Sequence, residues 1–327
     1  MILRPKLEDV AKLANVSKTT VSRVLNNRGY LSQETIERVY SAMKELNYQP
    51  NVVARQLYKK QTRIIGLLFP TIANPFFGEL SAELEKRLYN EGFKVLIGNS
   101  MNDPKKEAHY LNQLLTKQVD GLIVGTHNRG IAEYNYEHLP VVAIDRNMNQ
   151  DIPVIESDNY NGGVLATTHL IKRGAKKIIH TNGPIELETP TKRRRLAYED
   201  TMKKHGLTPL TITVDFNIPY SEKKQIFTQM FHDHPDLDAV FASNDIDAAL
   251  IMQLALEQGK RIPEDLLLVG YDGTQVIRNI LPGLTTIVQP IEDIAKTAVE
   301  VLKQRMNNEE TSLEYVLPVT LREGITG

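Results

Sequence analysis

The sequence predicts an all-α helix-turn-helix head followed by a larger α/β core of two lobes built on parallel sheets. Three observations predict it. Apolar residues recur at helical spacing through residues 1–48, with no strand-like run among them. From Arg63 onward, short apolar runs alternate with amphipathic stretches, the pattern of repeated βα units. Charge divides the chain at the same place: residues 1–63 hold twelve Lys/Arg against five Asp/Glu, a surplus of seven, whereas the whole chain has a formal charge of −1 and the remainder therefore −8. A basic head on an acidic body suits a polyanion-binding module joined to something that avoids polyanions.

In the head, Leu7, Val10, Leu13 and Ala14 share a helix face, with Glu8 and Asp9 in the first turn, where the helix dipole favours acids. Asn15 tolerates the left-handed conformation a tight turn requires, Val16 plugs the corner, and Ser17 caps the next helix. That helix lies in "SKTTVSRVLNN", residues 17–27; it turns Val21, Val24 and Leu25 inward and Thr19, Ser22 and Arg23 outward. Ser32 caps a third helix whose apolar stripe is Ile36, Val39, Tyr40, Met43 and Leu46. The second helix of such a unit enters a major groove; short hydroxyl side chains let its backbone approach the base edges, and Arg23 can grip guanine or phosphate. Ser17, Lys18, Thr19, Thr20, Ser22, Arg23, Asn26 and Tyr30 are the candidate DNA contacts of the head.

Residues 49–62 read as a hinge. Asn51 can cap a helix ending near Tyr58, whose two turns are too few to persist alone and can fold on binding. Asn51, Ala54 and Leu57 are the candidate contacts here, with Leu57 as a wedge between base pairs in the minor groove.

In the core, residues 63–327, the expected strands are "IIGLLF" (64–69), "KVLIG" (94–98), "GLIV" (121–124), "VVAI" (141–144), "KKIIH" (176–180), "TITV" (211–214), "AVFAS" (239–243) and "LLLVGYD" (266–272). So many βα units exceed one ordinary sheet, hence the two lobes. Ligands in such folds bind beyond the carboxyl ends of the strands. Asp145, Asn244, Asp245 and Asp272 follow strand ends, and Phe76 and Phe77 add aromatic surface near the exit of the first. Carboxylates and amides that pair with vicinal hydroxyls, beside rings that stack on C–H faces, make sugar-binding chemistry. His127 and the run "KRRR" (192–195) leave room for a phosphorylated sugar; the run opens a helix with Leu196 inward and one arginine aimed into the cleft.

Other classes fare poorly. Cys is absent, which removes disulfides, thiolate metal sites and Cys nucleophiles and suits a reducing cytosol. There is no H-E-x-x-H, P-loop or G-x-S-x-G, "GG" at 162–163 is no dinucleotide fingerprint, and "HDH" at 232–234 lacks a third metal ligand. The amino terminus has no apolar run of signal-peptide length, and no apolar stretch is long enough to span a membrane.

At this point "LEDVAKLANVSKTTVSRVLNN", "SQETIERVYSAMKELNYQPNVVARQL", "VGYD" and "LTTIVQP" together resemble the lactose/galactose repressor family of bacterial transcription regulators. Within it, "NNRGYLSQ", "THNRGIAEY" and "DRNMNQDIPVIESDNYNGGVLA" are similar to the branch that represses sucrose operons. The resemblance runs from Leu7 to Leu321. It implies a cytoplasmic homodimer whose heads read a palindromic operator on double-stranded DNA. A periplasmic-binding-protein-like core would take a sugar or phosphosugar effector, without cofactor, metal, membrane or catalysis. It further implies Lys18 and Thr19 as the main base readers, Leu57 as the wedge, and Arg195 of "RRRLAYE" as the effector arginine, with Asp145, Asp158, Asn244, Asp272 and Gln289 around it. Two departures stand out: Asn15 replaces a usual glycine, and "RLAYE" replaces an "RLAGF"-like motif. Two rival readings remain: a catabolite-control co-regulator that binds a phosphoprotein, and a stand-alone sugar-binding protein, which would have no use for the head.

Overall fold

A computed structural model describes every residue except 1–4, 27, 50–60, 102, 127, 129, 147, 149–150, 185–189 and 216–217. The chain divides into two units, Met1–Thr62 and Arg63–Gly327. The hinge helix expected over 51–58, with Asn51, Ala54 and Leu57, lies outside the described residues.

Among the described residues the first unit holds three helices, α1 (Leu7–Leu13), α2 (Lys18–Leu25) and α3 (Gln33–Glu45). Val10, Val21 and Val39 are fully buried at their junction with Ala11, Ala14, Val24 and Ala42. Each buried valine contributes about 1.5–3 kcal/mol, and this shared core holds helices too short to persist singly. The turn between α1 and α2 forms as its residues dictate. Asn15 takes φ 51°, and Ser17 Oγ accepts from the N–H of Thr20 at 3.0 Å. Ser32 caps α3 in the same way through Thr35.

The second unit begins β1 (Ile64–Phe69), α4 (Pro75–Asn90), β2 (Lys94–Asn99), α5 (Pro104–Leu115), β3 (Gly121–Val124), β4 (Val141–Ile144), β5 (Val154–Ser157). It continues α6 (Asn159–Lys172), β6 (Ile178–Asn182), α7 (Pro190–Lys204), β7 (Leu210–Thr213), α8 (Tyr220–Asp233), β8 (Ala239–Phe241), α9 (Asp245–Glu257), β9 (Leu267–Asp272), α10 (Gln275–Ile280), β10 (Thr285–Val288). It closes with α11 (Ile291–Met306), β11 (Glu314–Leu317) and β12 (Thr320–Arg322). One sheet has the order β2-β1-β3-β4-β5-β11 and is parallel throughout. The other, β7-β6-β8-β9-β10-β12, is parallel except that β12 pairs antiparallel with β10.

The continuous apolar runs have a simple cause: helices cover both faces of each sheet. Leu80, Leu84 and Leu88 of α4 and Ile294, Ala298 and Val301 of α11 pack with Ile65, Leu67 and Ile123 on one face of the first sheet. Leu111 and Leu114 of α5 share the opposite face with Leu68, Leu122 and Val124. In the second sheet, Phe227 and Ile251 lie on one side and Tyr198 and Leu170 on the other.

The chain passes between the sheets three times, after β5, after β10 and after β11. Hydrogen bonds knit these crossings. The N–H of Asp158 donates to Leu317 O at 2.7 Å, Ser157 Oγ to Gln289 Oε1 at 2.7 Å, and the N–H of Gln289 to Asp272 O at 3.0 Å. The "GG" pair has a packing role: a Cβ at Gly163 would lie 2.6 Å from Arg194 O, and one at Gly162 would lie 2.4 Å from Tyr271 Oη. Both glycines let α7 and β9 press close to α6.

The expected strands are all present, β1, β3 and β4 at the expected residues and the others with shifted ends; β6 starts two residues later than "KKIIH", because the N–H groups of Lys176 and Lys177 are taken by the Asp238 carboxylate. Four strands, β5, β10, β11 and β12, went unmarked in the apolar pattern. They are three or four residues long and carry Glu156, Ser157, Thr285, Thr286, Glu314, Thr320 and Arg322, so they show no apolar run. Among the described residues no helix is long and apolar enough to cross a membrane.

Candidate functional site

On the head, α2 presents the polar surface its sequence suggested. Lys18, Thr19 and Arg23 are exposed, and Thr20, Ser22 and Asn26 are half-buried. Tyr30, in the loop after α2, is 97% exposed. Lys18 pairs with Glu8 of α1; both side chains are more than half exposed, so the pair is weak and its lysine can be given up to a polyanion. Two candidates are engaged within the head. Ser17 Oγ is the helix cap, and Asn26 Nδ2 donates to Ser22 O at 2.8 Å, which turns it onto its own helix.

In the second unit a cleft lies where carboxyl ends of strands from both sheets meet. It is lined by Phe76 and Phe77 at the start of α4, Gly125 after β3, Asp145 after β4, Arg194 of α7, Asn244 before α9, Asp272 at the end of β9 and Gln289 after β10. Phe77 stacks on Phe69 at 5.1 Å between centroids and meets Phe76 edge-on at 5.2 Å. This gives the cleft one aromatic wall.

Much of the remaining lining is ionic. Arg194 is 5% exposed, its guanidinium carbon sits 3.5 Å from the ring centre of Tyr271, Nε donates to Asn159 Oδ1 at 2.8 Å and Nη1 to Ser243 O at 2.9 Å. Burial pushes the Asp145 carboxyl up to about 6, against the pull of the Arg194 charge. Burial likewise pushes Asp272 up to about 6, opposed by Arg194 and by the hydrogen bond that Gln289 Nε2 donates to Asp272 Oδ1 at 2.7 Å. Behind them Asp245 rises to about 8 through burial and then through the Asp272 charge; it accepts from Thr286 Oγ1 at 2.6 Å and from the N–H of Gly273 at 2.7 Å.

The backbone is strained at both lining carboxylates. Asp145 has φ 57° and Asp272 φ 113°, a region L residues rarely occupy. Such residues cost about 1–3 kcal/mol each and collect where structure serves a ligand. Aromatic wall, paired carboxylates and a fixed guanidinium together can hold a polyhydroxylated ring, with oxygens accepting from hydroxyls and Arg194 donating back.

The structure corrects three expectations. Arg195 does not line the cleft; its Nε donates to Glu199 one turn on at 2.7 Å, and the arginine in the cleft is Arg194. Leu196 faces outward, 51% exposed. Both errors are one helix phase: Arg194, Tyr198 and Thr201 are buried on one face at i, i+4 and i+7, a spacing visible in the sequence. Asp158 does not line the cleft either; it caps α6, accepting from the N–H of Asn161 at 3.0 Å. Gln289 does line it, yet both ends of its amide are engaged, with Ser157 and Asp272, so it braces the crossing segments. His127 lies outside the described residues. Thr71, Asn74, Thr191 and Ser243 line the cleft without having been singled out, since polar loop residues carry no periodicity.

Two family models match parts of the chain. Residues 6–51 match the model of bacterial regulatory proteins of the lacI family, and residues 167–326 that of a periplasmic binding protein-like domain. The chain is 45% identical over 326 residues to the sucrose operon repressor of Pediococcus pentosaceus, covering 99% of this chain and 100% of that one. A lac repressor dimer bound to operator and an anti-inducer is similar over 98% of both chains, with a TM-score of 0.86 and 28% identity. A periplasmic binding protein/LacI transcriptional regulator of Alkaliphilus metalliredigens QYMF, complexed with D-xylulofuranose, aligns with 81% of this chain and 98% of its own, with a TM-score of 0.74 and 33% identity. With a basic three-helix head, a two-lobed α/β core and a relative this similar along its whole length, the chain belongs to the lacI family of bacterial regulatory proteins.

Proposed function

We propose that this chain is a cytoplasmic, homodimeric repressor of a sugar-utilisation operon of the sucrose type, which reads a palindromic operator with α2 under control of a sugar bound in the Arg194 cleft. It acts by binding, without catalysis. The observation that carries the effector reading is Arg194, held on Tyr271 and flanked by the strained carboxylates Asp145 and Asp272, in a cleft that also has the Phe76–Phe77 wall. Among the described lining residues two carboxylates face one guanidinium, a balance that supports a neutral sugar over a phosphorylated one. The furanose named with a relative at 33% identity supports a fructose-like ring. Exposed Leu96 and Ile97 on the sheet-edge strand β2 support pairing with a second copy.

Closure of the lobes on the sugar is the two-state element through which sugar and DNA are coupled. Contacts between the lobes already bridge the cleft: the N–H of Gln275 donates to Glu79 Oε2 at 2.7 Å, and Arg193 Nη1 to Glu156 Oε1 at 2.7 Å. Calorimetric titration with sucrose, D-fructose and sucrose 6-phosphate tests the effector class. A neutral sugar is expected to bind and its phosphate ester to bind less well; tighter binding of the ester would reverse the assignment.

The raised carboxyls give this site a pH signature. The folded state holds protons on Asp145 and Asp272 between the ordinary carboxylate value and about 6, where the unfolded chain has released them. Stability of the unliganded core therefore falls as pH rises through that window, and the full penalty remains above about 6. Sugar affinity runs the other way, because only the ionised carboxylates accept from hydroxyls with both oxygens. Asp272→Asn is expected to stabilise the unliganded core at pH 7.5 by about 1–3 kcal/mol while abolishing sugar binding. Urea unfolding at pH 5 and 7.5, with and without sugar, measures both effects.

A further inference from the structure

An ion pair stands behind Asn244 and takes no part in the cleft lining. Lys223, in the first turn of α8, places Nζ 2.8 Å from Oδ1 of Asp247 in α9. Asp247 is 1% exposed, and the Lys223 side chain retains 15% of its surface. The second carboxylate oxygen, Oδ2, accepts from Asn244 Nδ2 at 3.0 Å and from Ser243 Oγ at 3.3 Å. Asn244 Oδ1 in turn accepts from the N–H of Asp247 at 2.8 Å, and Nδ2 also reaches Ser243 Oγ at 3.2 Å. Both ends of the Asn244 amide are therefore anchored to the same residue, one by its backbone and the other by its carboxylate. The amide cannot turn over without setting a donor against a donor.

We infer that Asp247 and Lys223 are positioning residues for effector recognition: they hold the Asn244 amide with Nδ2 turned to Asp247 and Ser243, so that Oδ1, by its remaining lone pair, is the end that accepts from a sugar hydroxyl, and so help set which sugar the cleft prefers. The inference rests on the reading of the cleft as a sugar site. Only an ionised carboxylate serves this place, because it accepts on both oxygens and bridges the Lys223 ammonium and the Asn244 amide at once. An asparagine there would satisfy one neighbour and oppose the other. Lys223 supplies the cation without which a carboxylate this buried would be strongly disfavoured.

The test is a double-mutant cycle on the full-length protein, titrated calorimetrically with sucrose, D-fructose and D-ribose. Asp247→Asn is expected to weaken the preferred sugar about ten- to a hundredfold and to change the order of preference among the three, where general loosening would weaken all alike. In an Asn244→Ala background the same substitution is expected to change affinity no further, because its effect passes through Asn244. An equal loss in both backgrounds, or no loss in either, would overturn the inference. Should Asp247→Asn fail to fold, Lys223→Met provides the same cycle, and Lys223→Arg is expected to restore both affinity and order. Wild type that binds none of the three sugars would overturn the sugar reading itself and this inference with it. That outcome differs plainly from wild-type binding that the variants leave unchanged.

Discussion

Arg194→Ala is expected to abolish sugar binding and destabilise the core, and Arg195→Ala, one residue on, is expected to do neither. Arg194 is buried on Tyr271, donates to Asn159 and Ser243, and is the cation nearest in effect to Asp145 and Asp272. Removing one member of a buried charge cluster leaves the others unpaired and costs about 3–5 kcal/mol. Here the two carboxyls can take up protons instead, so the loss is expected to shrink as pH falls towards 5. Among the described residues Arg195 pairs with Glu199 on a quarter-exposed helix face, an interaction worth at most a few tenths of a kcal/mol. Thermal unfolding at two pH values and a sugar titration on both variants separate the two arginines. Reversed effects would show that α7 is turned by one residue from the arrangement described, and equal effects would remove the distinction between the two arginines.

Substitutions at Lys18 and Thr19 are expected to weaken operator binding by about 1–3 kcal/mol per lost base contact while leaving binding to random DNA nearly unchanged. Both side chains are exposed at the start of α2, whose other face is locked into the head by Val21 and Val24. Lys18→Ala should also lower the salt slope of binding by about one if its partner is a phosphate, and leave the slope unchanged if it reads a base. Fluorescence anisotropy at several salt concentrations, with an operator-like palindrome and a scrambled duplex, gives both numbers. Equal losses on the two duplexes would remove base reading from α2.

How much of this was legible before folding differs between the two units. The caps, the turn and most inward residues of the head were legible, because capping, turn and helix periodicity are local: Asn15 at positive φ, Ser17 as cap and Val21 and Val24 inward all follow from neighbours in sequence, whereas Leu13 and Tyr40, assigned to the apolar faces, are exposed. The apolar strands of the core were equally plain, since all but the edge strands β2 and β7 are buried on both faces. The short strands β5 and β10 were not, because their burial comes from partners distant in the chain. In the cleft, Asp145, Asn244 and Asp272 were recognisable from their places after strands. Arg194 was displaced by one position through a motif comparison that ignored helix phase; Tyr198 and Thr201 on its face would have given the phase. Asp158 and Gln289 show the opposite limit. Their residue types suit a sugar, but one is engaged by a helix end and the other by two neighbouring side chains, which only the assembled fold reveals.

Control of operator binding by a sugar in the Arg194 cleft is tested most directly by one titration. The full-length protein is bound to a labelled palindromic duplex, and sucrose or D-fructose is added while anisotropy is followed, with Asp272→Asn run in parallel. The expected result is a shift in operator affinity of about five- to 150-fold for wild type, in the range of ordinary coupling energies, and none for Asp272→Asn. Specific operator binding that no sugar changes, or a shift that persists in Asp272→Asn, would contradict it.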